Sequence, residues 1–139
     1  MKIKLLREDS RVPRKSHQSD AGYDLYTPED ITVPANGFLP IKLGIAIQIY
    51  VDEVALVQGR SGLAFNQGIT TIGNVIDQGY RGEIGCCLAN FSDKEVKFKQ
   101  GDRIAQLLIL KLPLRSTTEL VEELDKSDRN SKGFGSTGK

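Results

Sequence analysis

The 139-residue sequence contains one histidine, two cysteines, no tryptophan and no long apolar run. With only His17 available and no other spaced thiols, a structural or hydrolytic zinc site has almost no ligands to draw on. Cys86 and Cys87 are adjacent, so in a strand their side chains point to opposite faces, which suits neither a shared metal nor an ordinary disulfide. We therefore expect reduced, largely structural thiols, and any bound metal should be a hard ion held by oxygen.

The sequence also lacks an excess of either charge, with 19 Lys+Arg against 18 Asp+Glu and a net charge of +1. Affinity for a phosphate backbone comes mainly from an excess of lysine and arginine on one surface, so we expect no nucleic-acid partner. The short, interrupted apolar runs exclude a membrane span, and the charged first nine residues leave no apolar stretch of signal-peptide length. The expected location is the cytoplasm, with no membrane partner.

Apolar residues, with the aromatic ones included, make up 39% of the chain, and this share suits one compact globular domain. In residues 43–50 the larger apolar side chains fall on every second position, as in a half-buried strand. Similar short runs bounded by Gly, Asp, Asn or Pro occupy residues 3–6, 54–57, 71–76, 84–88, 96–98 and 104–112. The pattern predicts an all-β fold of many short strands, such as a sandwich, a barrel or a jelly roll.

Two segments are open at this stage, because residues 61–65 suit a short helical turn and residues 120–124 suit either a helix or a strand. Residues 125–139 are polar and Gly-rich, with Phe134 as a single large apolar side chain. Such a segment cannot bury enough surface to fold alone. We expect a folded domain over residues 1–124 and a flexible C-terminal arm over residues 125–139.

Two segments carry side chains that suit a phosphate ester. Asp24, beside the Ala21-Gly22 turn, could hold a hydrated Mg²⁺, which typically uses one or two carboxylates together with substrate phosphates, or it could simply cap a turn. Residues 59–64 follow an apolar run, and there Arg60 offers a fork of cationic donors and Ser61 a hydroxyl. That set suits a polyphosphate, although an exposed turn that contains Arg and Ser is the alternative.

A third segment, residues 73–84, is typical of a strand, a tight turn at Gln78-Gly79 and a second strand. The backbone of such a hairpin could read a pyrimidine, with Tyr80 packed against the sugar. Asp77 at its base could orient or deprotonate water. The alternative is a surface hairpin with a turn aspartate.

A fourth segment, residues 101–109, places Gln106 among large aliphatic residues. Its amide must find a partner, which is either a ligand phosphate and the attacking water or an ordinary structural hydrogen bond. The C-terminal arm is the fifth segment, in which Arg129, Phe134 and two hydroxyls could close over a nucleotide, unless the arm is a solvated end.

Taken together and in this order, the five segments resemble those of the homotrimeric dUTP diphosphatases, the dUTPases. The resemblance spans residues 19–138, and its specificity lies in the ordered motifs at residues 21–25, 59–64, 75–83, 101–106 and 133–138. It implies a jelly-roll-like β fold, a homotrimer whose active sites are each built from all three chains, and Mg²⁺-dependent cleavage of dUTP to dUMP and pyrophosphate. That activity keeps uracil out of DNA and supplies dUMP for dTMP synthesis.

The resemblance also implies a role for each matching residue. Asp77 would activate the attacking water, and Tyr80 would stack under the deoxyribose and exclude a 2′-hydroxyl. The hairpin backbone from about Thr71 to Tyr80, which includes the predicted substrate contact Asn74, would read uracil. Ser61 and Gln106 would act at the scissile α-phosphate. Asp24 would contact Mg²⁺ through water. The remaining predicted substrate contacts are Arg60 and Gly62 and, on the arm of a neighbouring subunit, Arg129, Phe134, Gly135, Ser136 and Thr137.

The sequence departs from the family pattern at two positions. Gln78-Gly79 stands where many members have a second acid before the tyrosine, and Asn74 stands where a glycine is common. The shared fold and Gly79 raise dCTP deaminase as an alternative, but the glutamate which that branch uses has no counterpart in residues 84–90. A regulatory protein on the same scaffold is a third hypothesis, for which the sequence contains no partner-binding insert.

Overall fold

The computed structural model describes residues 1–113 and 117–127. A short helix, α1 (Ser61–Gln67), interrupts an otherwise β chain. The strands are β1 (Lys2–Leu5), β2 (Tyr23–Tyr26), β3 (Ile31–Val33), β4 (Phe38–Lys42), β5 (Ile45–Gln48), β6 (Glu53–Gln58), β7 (Ile69–Ile72), β8 (Val75–Ile76), β9 (Gly85–Asn90), β10 (Val96–Phe98) and β11 (Arg103–Lys111).

The strands form four small sheets in which every pairing is antiparallel. The largest has the order β2-β11-β6-β8, the next has the order β4-β9-β7, and β1-β5 and β10-β3 form two-stranded pairs. Most neighbours in a sheet are distant in sequence, as in folds whose strands cross from one sheet to another. The structure confirms the predicted all-β, jelly-roll-like class. Within residues 1–113 and 117–127, no helix has the length and hydropathy of a membrane span.

All four sheets contribute to one hydrophobic core. Leu107 of β11, Leu88 of β9, Ile45 of β5 and Val33 of β3 are each at most 1% exposed, although each lies in a different sheet. Because a single core holds the sheets together, loss of packing in one sheet should weaken the whole domain.

Replacement of Leu107 tests this core. Leu107→Ala should lower the free energy of unfolding by about 2–5 kcal/mol, because it removes buried methyl groups and leaves a cavity. Leu110→Ala, on the same strand at a side chain that is 45% exposed, should change it by only about 0.5 kcal/mol. Urea unfolding of both variants measures the difference, and equal losses would contradict the assignment of Leu107 to the core.

Two predictions about the strands need correction. The run at residues 71–76 is two strands, because Gly73 adopts a left-handed φ of 70° and the chain passes from the β7 sheet into the β8 sheet. The prediction of a strand-turn-strand hairpin over residues 73–84 is also wrong. The tight turn exists, with Tyr80 N donating to Asp77 O at 3.0 Å, but β8 pairs with β6, whereas β9 pairs with β4 and β7.

The structure gives different outcomes for residues 61–65 and 120–124, the two segments that the sequence leaves open. The helical turn at residues 61–65 is confirmed as the first part of α1. Residues 120–124 are neither helix nor strand. Leu120 and Leu124 are 99% and 87% exposed, so their side chains cover no apolar surface of the described residues, and packing against those residues does not stabilise a regular element here. Most of the predicted arm, residues 128–139, lies outside the described residues, and the domain boundary at residue 124 stays a prediction.

Candidate functional site

The predicted site residues that the structure describes lie mainly in two clefts. One cleft, of about 390 Å³, is polar, and we call it the arginine cleft. It is lined by Ser16, Asp20, Ala21, Gly22, Asp24, Arg60, Ser61, Gly62, Arg103 and Gln106. The other, of about 620 Å³, is the tyrosine cleft. Asp77, Tyr80 and Glu83 line it together with residues of β4 and the start of β9. Among the residues that the structure describes, the two clefts share no lining residue.

Strand pairing assembles the arginine cleft. On β11, Gln106 is paired with Asp24 of β2 on one side and with Gln58 of β6 on the other. Strand β6 ends at Gln58, and the chain turns through Arg60 directly into α1. Three segments that are far apart in sequence therefore meet at one point of the sheet, as the ordered motifs predict.

A ring of charges stands at the centre of the arginine cleft. Asp24 Oδ1 lies 3.4 Å from Arg60 Nε, and Asp24 Oδ2 lies 3.3 Å from Arg103 Nη1. Arg60 Nη1 donates in turn to the Arg103 carbonyl at 3.1 Å. The Asp24 side chain is only 13% exposed, and a carboxylate so far removed from water needs partners of opposite charge. Both arginine head groups are thereby held in the cleft that Ser61 also lines.

Among the lining residues that were not predicted as site residues, Ser16 and Arg103 are bonded to Asp24. Ser16 Oγ donates to Asp24 Oδ2 at 3.0 Å and accepts from Arg103 Nη1 at 3.2 Å. Strict alternation would put Arg103 and Gln106 on opposite faces of β11, since they are three positions apart. A β-bulge between Arg103 and Ala105 shifts the register and brings both side chains to the same cleft.

Gln106 makes the structural hydrogen bond that was one of its two predicted alternatives. Its Nε2 donates to Gly59 O at 2.9 Å. Its side chain also lies directly over Gly22, where an added Cβ would come within 3.0 Å of Gln106 Cβ and closer still to Oε1. The glycine is required by this close approach. Gln106 therefore joins the Gly59 turn to the Ala21-Gly22 turn and stays within the lining of the cleft.

The carboxylates of the arginine cleft, Asp20 and Asp24, are the side chains there that could contact Mg²⁺. Among residues 1–113 and 117–127 there is no group of three His, Cys, Asp or Glu side chains that could hold a metal. Both oxygens of Asp24 are engaged by arginines, and Asp20 Oδ2 accepts from His17 N at 2.8 Å. This donor set fits a hydrated ion that is held mainly by ligand phosphates and contacted by Asp24 through water. It does not fit a cage of protein ligands.

In the tyrosine cleft, a four-residue turn holds the two predicted residues close together. Asp77 directly follows β8, and Tyr80 N closes the turn onto the Asp77 carbonyl. Both side chains line the cleft and both residues are exposed. The expected grouping of an acid with an aromatic ring is observed, although the strand that follows belongs to another sheet.

Asn74, a predicted substrate contact, lies behind this cleft. Its flanking residues Gly73 and Val75 line the cleft. The Asn74 side-chain Nδ2 donates to Thr71 O at 3.3 Å, and the Asn74 backbone carbonyl accepts from Val57 N at 2.9 Å. Its side-chain Oδ1 is buried and has no hydrogen-bond partner among residues 1–113 and 117–127. The structure therefore places Asn74 at the crossing between β7 and β8, and a contact with a ligand stays a prediction.

Cys86 and Cys87 are free thiols in the wall of the tyrosine cleft. Burial, assisted by the neighbouring Cys87, raises the pKa of Cys86 to about 12, and burial also raises the pKa of Cys87. The thiolate is the reactive form of cysteine. The Cys86 thiol is therefore nearly inert near neutral pH, and the Cys87 thiol is less reactive than an ordinary cysteine, as expected for structural thiols.

Alkylation with iodoacetamide tests this inertness. At pH 8 the thiolate fraction of Cys86 should be about a thousandfold below that of an ordinary cysteine, so the native protein should not be labelled there. Labelling should rise as the pH approaches the pKa, and protein unfolded in urea should label at both cysteines. Peptide mass spectrometry reports each site, and rapid labelling of native Cys86 at pH 8 would contradict the burial.

The remaining predicted contacts, Arg129, Phe134, Gly135, Ser136 and Thr137, lie outside the described residues. Their approach to either cleft stays a prediction.

Comparison with known proteins gives one consistent result. A family model described as dUTPase matches residues 8–138. The chain is 39% identical over 139 residues to the deoxyuridine 5′-triphosphate nucleotidohydrolase of Kluyveromyces lactis, covering all of this chain and 94% of the relative. It is 42% identical over 140 residues to the enzyme of the same name from Candida albicans, covering all of this chain and 88% of the relative.

Solved structures agree with the sequence relatives. The dUTPase of Staphylococcus bacteriophage 80alpha, solved with dUPNHPP, superposes with a TM-score of 0.90 at 28% identity, over 99% of this chain and 97% of the phage chain. A variant dUTPase from phage phi11 of Staphylococcus aureus, described with a coordinated structural Mg(II) ion, has a TM-score of 0.81 at 25% identity, over 88% of this chain and 96% of that one.

Proposed function

The chain belongs to the dUTPase family, and from that premise we propose that it is a dUTP diphosphatase, which hydrolyses dUTP to dUMP and pyrophosphate by attack of water on the α-phosphate. The observation that carries the proposal is that Gln106 meets Arg60 and Ser61, which lie in a distant part of the sequence, in one polar cleft. The activity keeps uracil out of DNA and supplies dUMP for dTMP synthesis.

The arginine cleft is the proposed phosphate site. Guanidinium groups bind phosphate oxygens through paired, charge-assisted hydrogen bonds, and Arg60 is already oriented by Asp24 and by the Arg103 carbonyl. Ser61 supplies a neutral donor for an oxygen of the α-phosphate, and Gln106 helps to hold that phosphate and the attacking water. Donors that are fixed before the substrate binds stabilise developing charge without reorganisation at the moment of reaction.

The tyrosine cleft is the proposed nucleoside site. Asp77 accepts a proton from the attacking water, and Tyr80, at the other end of the same turn, lies against the sugar. The main chain of residues 71–80 offers N–H and C=O groups to uracil, with Gly73 and Val75 at the cleft wall. A bound Mg²⁺, contacted by Asp24 through water, would neutralise phosphate charge.

We assign the active unit as a homotrimer with shared sites. Within one chain the phosphate and nucleoside clefts have no lining residue in common, so one dUTP molecule can engage both if neighbouring chains each supply one of them. The arm of a further subunit would bring Arg129, Phe134, Gly135, Ser136 and Thr137 over the nucleotide. The balanced net charge of +1 supports a nucleotide substrate rather than a nucleic-acid partner. We assign the protein to the cytoplasm.

A substrate panel tests the proposal. Purified protein is incubated with Mg²⁺ and dUTP, dCTP, dTTP or UTP, while pyrophosphate and ammonia are measured separately. We expect pyrophosphate from dUTP alone. Ammonia from dCTP would identify a deaminase instead, and tight dUTP binding without turnover would identify a regulatory protein.

A further inference from the structure

We propose that Gly82 is a specificity-determining residue, which positions the ring of Tyr80 and thereby sets the preference for deoxyribose over ribose. The inference rests on the proposed function. It starts from the contact between the two residues, since the hydroxyl end of the Tyr80 ring lies directly over the Gly82 backbone. A Cβ at position 82 would be 2.5 Å from Tyr80 Cζ, 2.9 Å from Cε2 and closer still to the hydroxyl oxygen.

Space, rather than backbone conformation, requires a glycine at this position. The φ angle of Gly82 lies outside the left-handed region, so an L residue could adopt the same backbone. What an alanine lacks is room, because its methyl group would occupy the volume of the tyrosine ring. Gly73, in the same connection, shows the contrasting case of a positive φ with nothing near the Cβ position.

Hydrogen bonds hold the ring against Gly82. The Tyr80 hydroxyl donates to the Glu83 carbonyl at 3.0 Å, and the Glu83 carboxylate accepts from Gly44 N at 2.8 Å. Glu83 is thereby tied to a separate part of the chain, so the acceptor for the hydroxyl is fixed. Arg81 Nη1 donates to the carbonyls of Gln78 and Tyr80 at 2.7 and 2.8 Å, which staples the turn that carries the ring.

A steric contact could nevertheless displace the Tyr80 ring. Tyr80 is 44% exposed, and its contact with Gly82 involves the far end of a flexible side chain. An added methyl group should therefore displace the ring and leave the fold intact. A ring displaced by about 1 Å no longer fits closely under the sugar, and errors of this size can change rates by up to about a hundredfold.

The test compares Gly82→Ala with Gly79→Ala. Both variants add one methyl group to the connection between β8 and β9, but at Gly79 no atom of the described part of the chain lies within 4 Å of the added Cβ. For each we would measure kcat and KM for dUTP and for UTP, together with the melting temperature. Gly82→Ala should lower the ratio of kcat/KM for dUTP to that for UTP by about tenfold or more, at an unchanged melting temperature. Gly79→Ala should leave the position of the Tyr80 ring and the melting temperature unchanged.

A second readout needs no turnover. The chain has four tyrosines, so ring-labelled protein gives few aromatic NMR signals, and the Tyr80 signal is identified by its loss in Tyr80→Phe. Gly82→Ala should shift that signal in the nucleotide-free protein. An unshifted signal, or a shifted signal with an unchanged dUTP-to-UTP ratio, would overturn the inference. Absence of dUTP hydrolysis by the wild type would instead reject the proposed function. The NMR shift would still report whether Gly82 positions the Tyr80 ring, because it needs no turnover.

Discussion

Asp77→Asn should lower the rate of dUTP hydrolysis by about two to four orders of magnitude while nucleotide binding remains. Asparagine has nearly the same shape as aspartate, but it cannot accept a proton from water at neutral pH. Asp77 is exposed at the end of β8, so the substitution leaves the core untouched. Pyrophosphate release measures the rate, and calorimetry with a non-hydrolysable imido analogue of dUTP measures binding.

Asp93→Asn is the matched control. It makes the same chemical change at an exposed position in the connection between β9 and β10, outside both clefts. We expect wild-type activity from this variant. A wild-type rate from Asp77→Asn as well would remove Asp77 from the proposed mechanism.

Two inactive variants should restore each other's activity when their chains are mixed. Asp77→Asn disables the tyrosine cleft, and Ser61→Ala disables the arginine cleft at a cost of about a hundredfold in turnover. If one site takes its clefts from different chains, random assembly of equal amounts leaves about a quarter of the sites with both clefts intact. When the two variants are mixed, unfolded together and refolded, the mixture should therefore regain about a quarter of the wild-type rate.

The control for this experiment pairs two variants of the same cleft. Asp77→Asn and Tyr80→Ala both affect one four-residue turn, which a site takes whole from a single chain. Their mixture should stay inactive. Recovery in this control, or failure of the first pair to recover, would contradict the shared-site trimer, as would full activity in a protein that sediments as a monomer.

The strands that alternation predicts best are those that combine a buried face with few interruptions, such as β5 and β11. Strand β4 was not predicted, because Pro40 at its centre is usually taken as evidence against a strand. Its position at the edge of the β4-β9-β7 sheet explains the exception, since an edge strand has one side on which no ladder hydrogen bond is needed. Sheet position cannot be read from a single segment.

The site was predictable where residue chemistry alone suffices. Arg60, Ser61 and Gln106 were expected to act on one ligand, and they line one cleft. The ring that joins Asp24 to Arg60 and Arg103 was not foreseen, because ion pairs between distant segments depend on register and on a bulge. The division into two clefts was likewise outside what spacing along one chain can reveal.

The pairing of β11 on both of its edges has a consequence for insertions and deletions. Its neighbours β2 and β6 fix its register from two sides, and the bulge before Ala105 already uses one extra residue. Adding or removing one residue between the bulge and Gln106 would turn the Gln106 side chain into the core and the Leu107 side chain toward the cleft. Related chains should therefore differ in length at surface connections such as residues 91–94 and vary β11 by substitution alone.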